Sequence, residues 1–369
     1  MITDYNTISF KEKRADACQR RIDDLLEVLP EFCTQYEAFM HSKTVIKTRM
    51  EYLQDINTFF RYLCQKNPLI KVIRTDITPQ LLEKLNGFDF DDYNIWLSNY
   101  TLNDKDEPIH NSNVTIRRKY AGLKSLFHYL YIREIISCNP TEKAVMPTVR
   151  QKKRKDIRIL EDDEYHLFLN TIENAYTESI ERSKLPDASE RDRVRPSLIL
   201  RDKAIIYLFL GTGLRVSELC AIDCSNISFQ LGYINVIRKE DSDDATTTDR
   251  VYMNPQVATL LSDYINTARD IIGPGMDNYD ALFISSKHTR ITPRAVELII
   301  KDYADKALGT GNGITPHKLR ATFGTRYQRE FGDISATQSV MNHSDVSVTA
   351  KYYLQEDKEA KERVRDMKI

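Results

Sequence analysis

No apolar run in this 369-residue chain approaches the roughly 20 residues that a bilayer-spanning helix needs. The opening Met1-Ile2-Thr3-Asp4-Tyr5 lacks the basic-then-apolar order of a signal peptide. These absences predict a cytoplasmic protein with no membrane partner. The six cysteines are scattered and form no CxxC pair, so a disulfide framework is not expected in a chain of this size. Cys220 and Cys224 have the spacing of one helix face, but nothing near them completes a metal site, and no metal is expected. Internal repeats and low-complexity tracts are also missing. So is an excess of basic residues: 53 Lys and Arg stand against 54 Asp and Glu, a net charge of −1. A chain basic throughout, the simplest sign of a nucleic-acid binder, is excluded.

What is present is ordinary for a soluble globular chain, with 41% hydrophobic and 29% charged residues. The length suffices for two domains, each with its own core. The near-zero net charge hides segregation. Lys143, Arg150, Lys152, Lys153, Arg154, Lys155 and Arg158 cluster in one short stretch. Such a run can contact phosphates whatever the total charge, and Lys152, Lys153 and Arg154 are its centre. It also has the look of a solvated linker.

Helical periodicity dominates the first 145 residues. Ile22, Leu25, Leu26 and Leu29 mark a helical lead-in over 1–40, interrupted by Pro30. From about Lys43, Met50, Leu53, Ile56, Phe59, Phe60 and Leu63 form a wide apolar stripe. Two shorter helices are expected between Ile77 and Tyr100, the first signalled by Thr78-Pro79. After a polar loop, Ser112-Asn113 opens a helix with Ile116, Tyr120, Leu123, Leu126, Phe127 and Leu130 on one face. Residues 1–145 therefore read as a small helical domain, 146–158 as a basic linker and 159–369 as a larger domain. In the larger domain, 180–196 is charged, contains two prolines and is expected to be a loop. Arg201 to Leu210 reads as a buried helix. Alternation in Tyr233–Ile237 and again in Arg250–Met253 predicts a β-hairpin. Helices are expected over 255–271, 292–308, 315–330, 333–342, 346–354 and 356–368. The fold class is mainly α with a small β-hairpin or sheet, in two domains.

Four segments of the larger domain carry the chemistry. Arg215 follows a glycine turn in Gly211-Thr212-Gly213-Leu214-Arg215-Val216-Ser217-Glu218-Leu219. Lys239 lies in the hairpin connection. Thr315-Pro316-His317-Lys318-Leu319-Arg320 places an imidazole and a guanidinium at i,i+3, on one helix face. His343 is followed nine residues later by Tyr352. Taken singly, each of these is commonplace as a helix-end charge, a cap or a core aromatic. Together they suit a phosphodiester. Two arginines match its non-bridging oxygens, two histidines can donate to it or move protons, and a tyrosine is a possible oxygen nucleophile.

The ordered set Gly-Leu-Arg-x-x-Glu-Leu, hairpin Lys, His-x-x-Arg, His and Tyr resembles the tyrosine recombinase, or phage integrase, family. The likeness runs from about Lys43 to Lys368 and is nearest to Xer-type single recombinases and integrases of mobile elements. The resemblance implies a helical core-binding domain and a mixed α/β catalytic domain forming a C-shaped clamp on DNA. It implies Arg215 and Arg320 as the arginines that neutralise the phosphate and His317, of the His-x-x-Arg pair, as the candidate base, with Glu218 supporting Arg215 and His343 at the later His position. Lys239 would be the general acid in the hairpin and Tyr352 the nucleophile. The implied product is a 3′-phosphotyrosine with a free 5′-hydroxyl. The bond energy is retained, so no cofactor is called for. The implied partners are double-stranded DNA with a short palindromic core site and, on two duplexes, a homotetramer. Free in solution the protein would be a monomer or weak oligomer, and any accessory protein is unspecified. The two helices that the family sets into the major groove would here carry Lys47, Arg49, Thr115, Arg117, Arg118, Lys119 and Lys124.

The chain departs from the family pattern at Asn342, where glycine is usual, and at Ala321, where a second histidine often follows. The acidic connection around Lys239 is long for the family. Tyr353 adjoins Tyr352, and adjacent helical side chains point about 100° apart, so only one can face the phosphate. Spacing favours Tyr352. Two other functions use parts of the same pattern: a helical DNA-binding regulator with a vestigial catalytic set, and a type IB topoisomerase. Integration or excision of a mobile element and resolution of chromosome dimers are both compatible with a recombinase.

Overall fold

A computed structural model describes residues 10–66, 73–100, 109–149, 158–237, 248–274 and 280–341. The chain divides into two compact units, with the boundary after Lys153. No helix among the described residues is long and apolar enough to cross a membrane.

The first unit is helical: α1 (Phe10–Leu26), α2 (Glu31–His41), α3 (Ile46–Lys66), α4 (Pro79–Glu83), α5 (Gly87–Ser98) and α6 (Asn113–Ile132). A two-residue antiparallel pair, β1 (Asn99–Tyr100) with β2 (Ile109–His110), adds a short ladder that the sequence pattern did not suggest. The helix starts are written locally. Thr78 accepts from the Leu81 N–H ahead of Pro79, and Ser112 accepts from the Thr115 N–H. At α5, Asn86 and Asp89 form a reciprocal capping box. Phe59 is the hub of the core, stacked on Phe90 at 5.9 Å and edge-on to Tyr93 at 4.8 Å between ring centroids. Full burial of such a ring stabilises by about 2–3 kcal/mol. The lead-in is part of this core, because α1 packs along α3 and buries Ile22 and Leu25 with it, and Leu29 in the turn after α1 joins the same cluster.

The stretch read as a basic linker begins docked on this unit. The Asn94 side chain donates to the Val145 carbonyl at 3.1 Å, and the Asn113 side chain donates to that of Thr148 at 2.9 Å. Lys152, Lys153 and Arg154 lie outside the described residues.

The second unit contains α7 (Asp162–Ser183), α8 (Glu190–Thr212), α9 (Val216–Ala221), β3 (Ile227–Ser228), β4 (Tyr233–Ile237) and β5 (Thr248–Tyr252). Then follow α10 (Pro255–Asp263), a π-helical segment (Tyr264–Ala268), α11 (Arg269–Ile272), α12 (Pro293–Leu308), α13 (Pro316–Phe331) and α14 (Ile334–Met341). The strands form one antiparallel sheet in the order β3-β4-β5, with Tyr233 opposite Tyr252 and Ile234 opposite Val251. Ile234, Val236 and Val251 point into the core, as alternation requires. The middle of the unit is α8, whose run from Ala204 to Leu210 is buried and which packs against α7, α10 and α13.

The loop expected over 180–196 is replaced by helix over most of its length. Helix α7 continues to Ser183 and α8 begins at Glu190, where Ser189 and Asp192 make a capping box. The connection is confined to 184–189. Pro186 lies in that turn, whereas Pro196 sits inside α8, where it removes one backbone donor and its ring crowds the carbonyl four residues back. The buried apolar half of the helix outweighs this local penalty.

Candidate active site

The site is built where α8 ends and α13 begins. Gly213 terminates α8 in the left-handed region, at φ 62°, and its N–H closes on the Phe209 carbonyl at 2.9 Å. A side chain there would collide with its neighbours, since a Cβ would lie 2.4 Å from the Phe323 ring and 3.1 Å from the Met341 sulfur. The reversal delivers Arg215 to the N-cap of α9. Glu218 then grips Arg215 twice: its carboxylate accepts from the Arg215 N–H at 2.7 Å and from the guanidinium at 2.7 Å. The Glu218 side chain is 6% exposed and that of Arg215 42%, so a buried carboxylate aims a half-exposed cation.

Helix α13 supplies the second half. Thr315 accepts from the Lys318 N–H and Pro316 fills the first turn, which fixes where His317 and Arg320 emerge. Thr322 anchors the helix to the start of the unit, accepting from the Leu160 N–H at 2.9 Å and donating to the Lys318 carbonyl. Arg320 is buried. It donates through Nη1 to the carbonyl of Gly213 and through Nη2 to that of Met341. One guanidinium thus ties together the turn before Arg215, its own helix and the end of α14.

His317 lies at the surface beside this cluster. Its pKa is pushed below the ordinary imidazole value, first by partial loss of solvent and then by the charges of Lys318, Arg320 and Arg215. The neutral form is therefore favoured, as a proton acceptor requires. Arg215, Glu218, His317 and Arg320 converge although about a hundred residues separate the two segments. Lys239, His343, Tyr352 and Tyr353, and the expected helices over 346–354 and 356–368, lie outside the described residues.

The sequence reading did not identify Phe323, Met341 and Thr322 as supports of the site. The glycine turn marks the reversal before Arg215 but carries no signal of what packs against it, since the left-handed Gly309, Gly311, Gly313 and Gly332 have no neighbour within 4 Å of a built Cβ. Neither cysteine of the 220/224 pair is set up as a metal thiolate. Cys220 is buried in the core, and burial raises the thiol pKa of Cys224.

In the first unit, Lys47, Arg117, Arg118 and Lys124 are exposed on α3 and α6, and Thr115 is half-buried with its hydroxyl 3.0 Å from that of Ser112. Arg49, expected on the same face, is instead buried. It is 3% exposed, lies 3.2 Å from the Glu37 carboxylate and donates to the His41 carbonyl at 3.1 Å. Its spacing from Leu53, Ile56 and Phe60 puts it on the core stripe. Lys119 is likewise turned inward, with a side chain 13% exposed and 3.2 Å from the buried carboxylate of Asp55.

Known proteins give the same picture. The model of the phage integrase family matches residues 175–360, half of the chain. The tyrosine recombinase XerC of Caldanaerobacter subterraneus subsp. tengcongensis is 28% identical over 343 residues, covering 89% of this chain and 85% of that one. The tyrosine recombinase XerD of Oceanobacillus iheyensis is 26% identical over 308 residues, covering 83% and 86%. Among solved structures, the Tn1549 transposon integrase in complex with circular intermediate DNA superposes with a TM-score of 0.57 at 19% identity, covering 87% of this chain and 94% of that one. A lambda integrase dimer bound to a core site gives 0.54 at 15% identity, covering 86% and 93%. This chain belongs to the phage integrase family, the tyrosine recombinases, and is a site-specific recombinase.

Proposed function

We propose that the chain cuts and rejoins double-stranded DNA at a short palindromic core site through a covalent tyrosine intermediate. The observation that carries this reading is the convergence of Arg215, His317 and Arg320. A phosphodiester is an anion that repels nucleophiles. Arg215 and Arg320 offset its charge and stabilise the five-coordinate transition state. His317, held neutral by desolvation and its cationic neighbours, receives a proton, and His343 donates to a non-bridging oxygen. The Tyr352 oxygen attacks phosphorus, the bond to the 5′ oxygen breaks, and Lys239 gives that oxygen a proton. The 3′-phosphotyrosine is then attacked by the 5′-hydroxyl of the other duplex, and strands are exchanged without net loss of a phosphodiester.

In the same reading, residues 1–145 form the core-binding domain and 159–369 the catalytic domain, joined by the basic stretch that includes Lys152, Lys153 and Arg154. Lys47, Arg117, Arg118 and Lys124 meet phosphates or base edges. Four copies act on two duplexes, in the cytoplasm. The biological use is integration and excision of a mobile element or resolution of chromosome dimers. A vestigial regulator and a relaxing topoisomerase are disfavoured, because the described part of the catalytic set is intact and the relatives are recombinases.

A nicked core-site duplex that loses a short fragment on cleavage tests the reading. The protein should accumulate as a DNA adduct on a denaturing gel. Tyr352→Phe should bind the duplex and give no adduct. An adduct of normal yield from Tyr352→Phe would overturn the assignment.

A further inference from the structure

The α3–α6 face carries a device that its basic residues alone do not reveal. The two helices cross at Gly122, where a Cβ would lie 3.1 Å from both the Cα and the carbonyl oxygen of Tyr52 and 3.4 Å from the Asp55 Cβ. This close approach brings α6 cations against α3 carboxylates. Asp55, 2% exposed, accepts from Lys119 at 3.2 Å and from Arg118 at 3.3 Å. On the other side of Arg118, its Nη1 lies 3.8 Å from a Glu51 oxygen, and the second Glu51 oxygen lies 3.7 Å from the Lys47 ammonium. The result is a ladder of alternating sign: Lys47, Glu51, Arg118, Asp55, Lys119.

The two carboxylates are not equivalent. Asp55 is sealed in, and loss of solvent raises its pKa against the lowering by Lys119 and Arg118. No anion from solution can reach its place. The Glu51 side chain is 40% exposed, while Arg118 is 51% and Lys47 55% exposed. Glu51 therefore occupies, at the surface and between two cations, the position that a phosphate oxygen would take.

We propose that Glu51 is a specificity-determining residue, an acidic placeholder that holds Lys47 and Arg118 until the correct DNA displaces it. Asp55 keeps the Arg118 guanidinium at the surface when Glu51 is displaced. A random duplex meets Lys47 and Arg118 through phosphates alone and bears the full cost of displacing Glu51. On the selected sequence the same side chains gain base-edge contacts as Glu51 leaves, so the cost there is smaller. This inference rests on the reading that the α3–α6 face meets DNA.

The test measures binding of the full chain to two duplexes: one of random sequence, and one selected by the wild type from a randomised pool. Exposed ion pairs are weak, so Glu51→Gln should tighten random-duplex binding by about three- to fivefold. It should tighten the selected duplex less, and it should steepen the salt dependence by up to about one unit of log K against log salt. Glu51→Asp, which keeps the charge, should stay close to the wild type. Arg117→Ala with Lys124→Ala serves as the control for the face. If the double variant weakens binding but Glu51→Gln changes neither affinity nor slope, the placeholder is wrong and the DNA-facing reading stands. If neither variant alters binding, both are wrong.

Discussion

His317 shows how a residue common in proteins becomes specialised by its surroundings. Partial burial and three nearby cations, Lys318, Arg320 and Arg215, all disfavour its charged form. Titration of its ring proton by NMR in the DNA-free protein should give a midpoint below the ordinary 6.5. Arg215→Ala removes one of the cations and should move the midpoint up. A midpoint at or above the ordinary value would remove the argument for His317 as proton acceptor. The linked effect on stability has a definite sign. The folded state binds fewer protons than the unfolded one in this window, so His317 withdraws stability as the pH falls through and below the ordinary imidazole value. Arg49 shows the reverse case. Its place on a helix with a DNA-binding resemblance suggests an exposed cation like its neighbours, yet burial commits it to Glu37.

Elements explain why part of the site was legible. The caps at Thr78, Ser112 and Thr315 and the alternation in β4 and β5 are local signals, and the helices and strands began close to where those signals put them. Over 180–196 charge and proline suggest a loop, whereas the fate of α8 is decided by apolar residues after Leu198 packing against α7. Nor could local pattern show that Arg320 would reach the carbonyls of Gly213 and Met341, since those contacts span 107 and 21 residues of chain. The α8–α9 turn is where this coupling concentrates. Gly213→Ala should destabilise the protein by about 2–4 kcal/mol, combining left-handed strain with overpacking against Phe323. Urea unfolding reads the loss. Cleavage should fall more than DNA binding, because the turn positions Arg215 and gives Arg320 one of its acceptors. Unchanged stability would mean that Phe323 and Met341 move aside without cost.

At the scale of the whole molecule, a chain with a net charge of −1 binds DNA only if its cations are gathered and aimed. Two gatherings are visible among the described residues. On the first unit, Lys47, Arg117, Arg118 and Lys124 stand on two helices locked at Gly122. On the second, Arg215, His317 and Arg320 share one focus. The first resembles a surface for positioning DNA, the second a cradle for one phosphate. Proteolysis of the trapped protein–DNA adduct, followed by mass measurement of the peptide that carries nucleotide, tests the central claim most directly. The account predicts a single modified peptide with the phosphate on Tyr352, joined to the 3′ end of the cut strand. Phosphate on Tyr353, a 5′ linkage, or cleavage without any protein-bound nucleotide would contradict it.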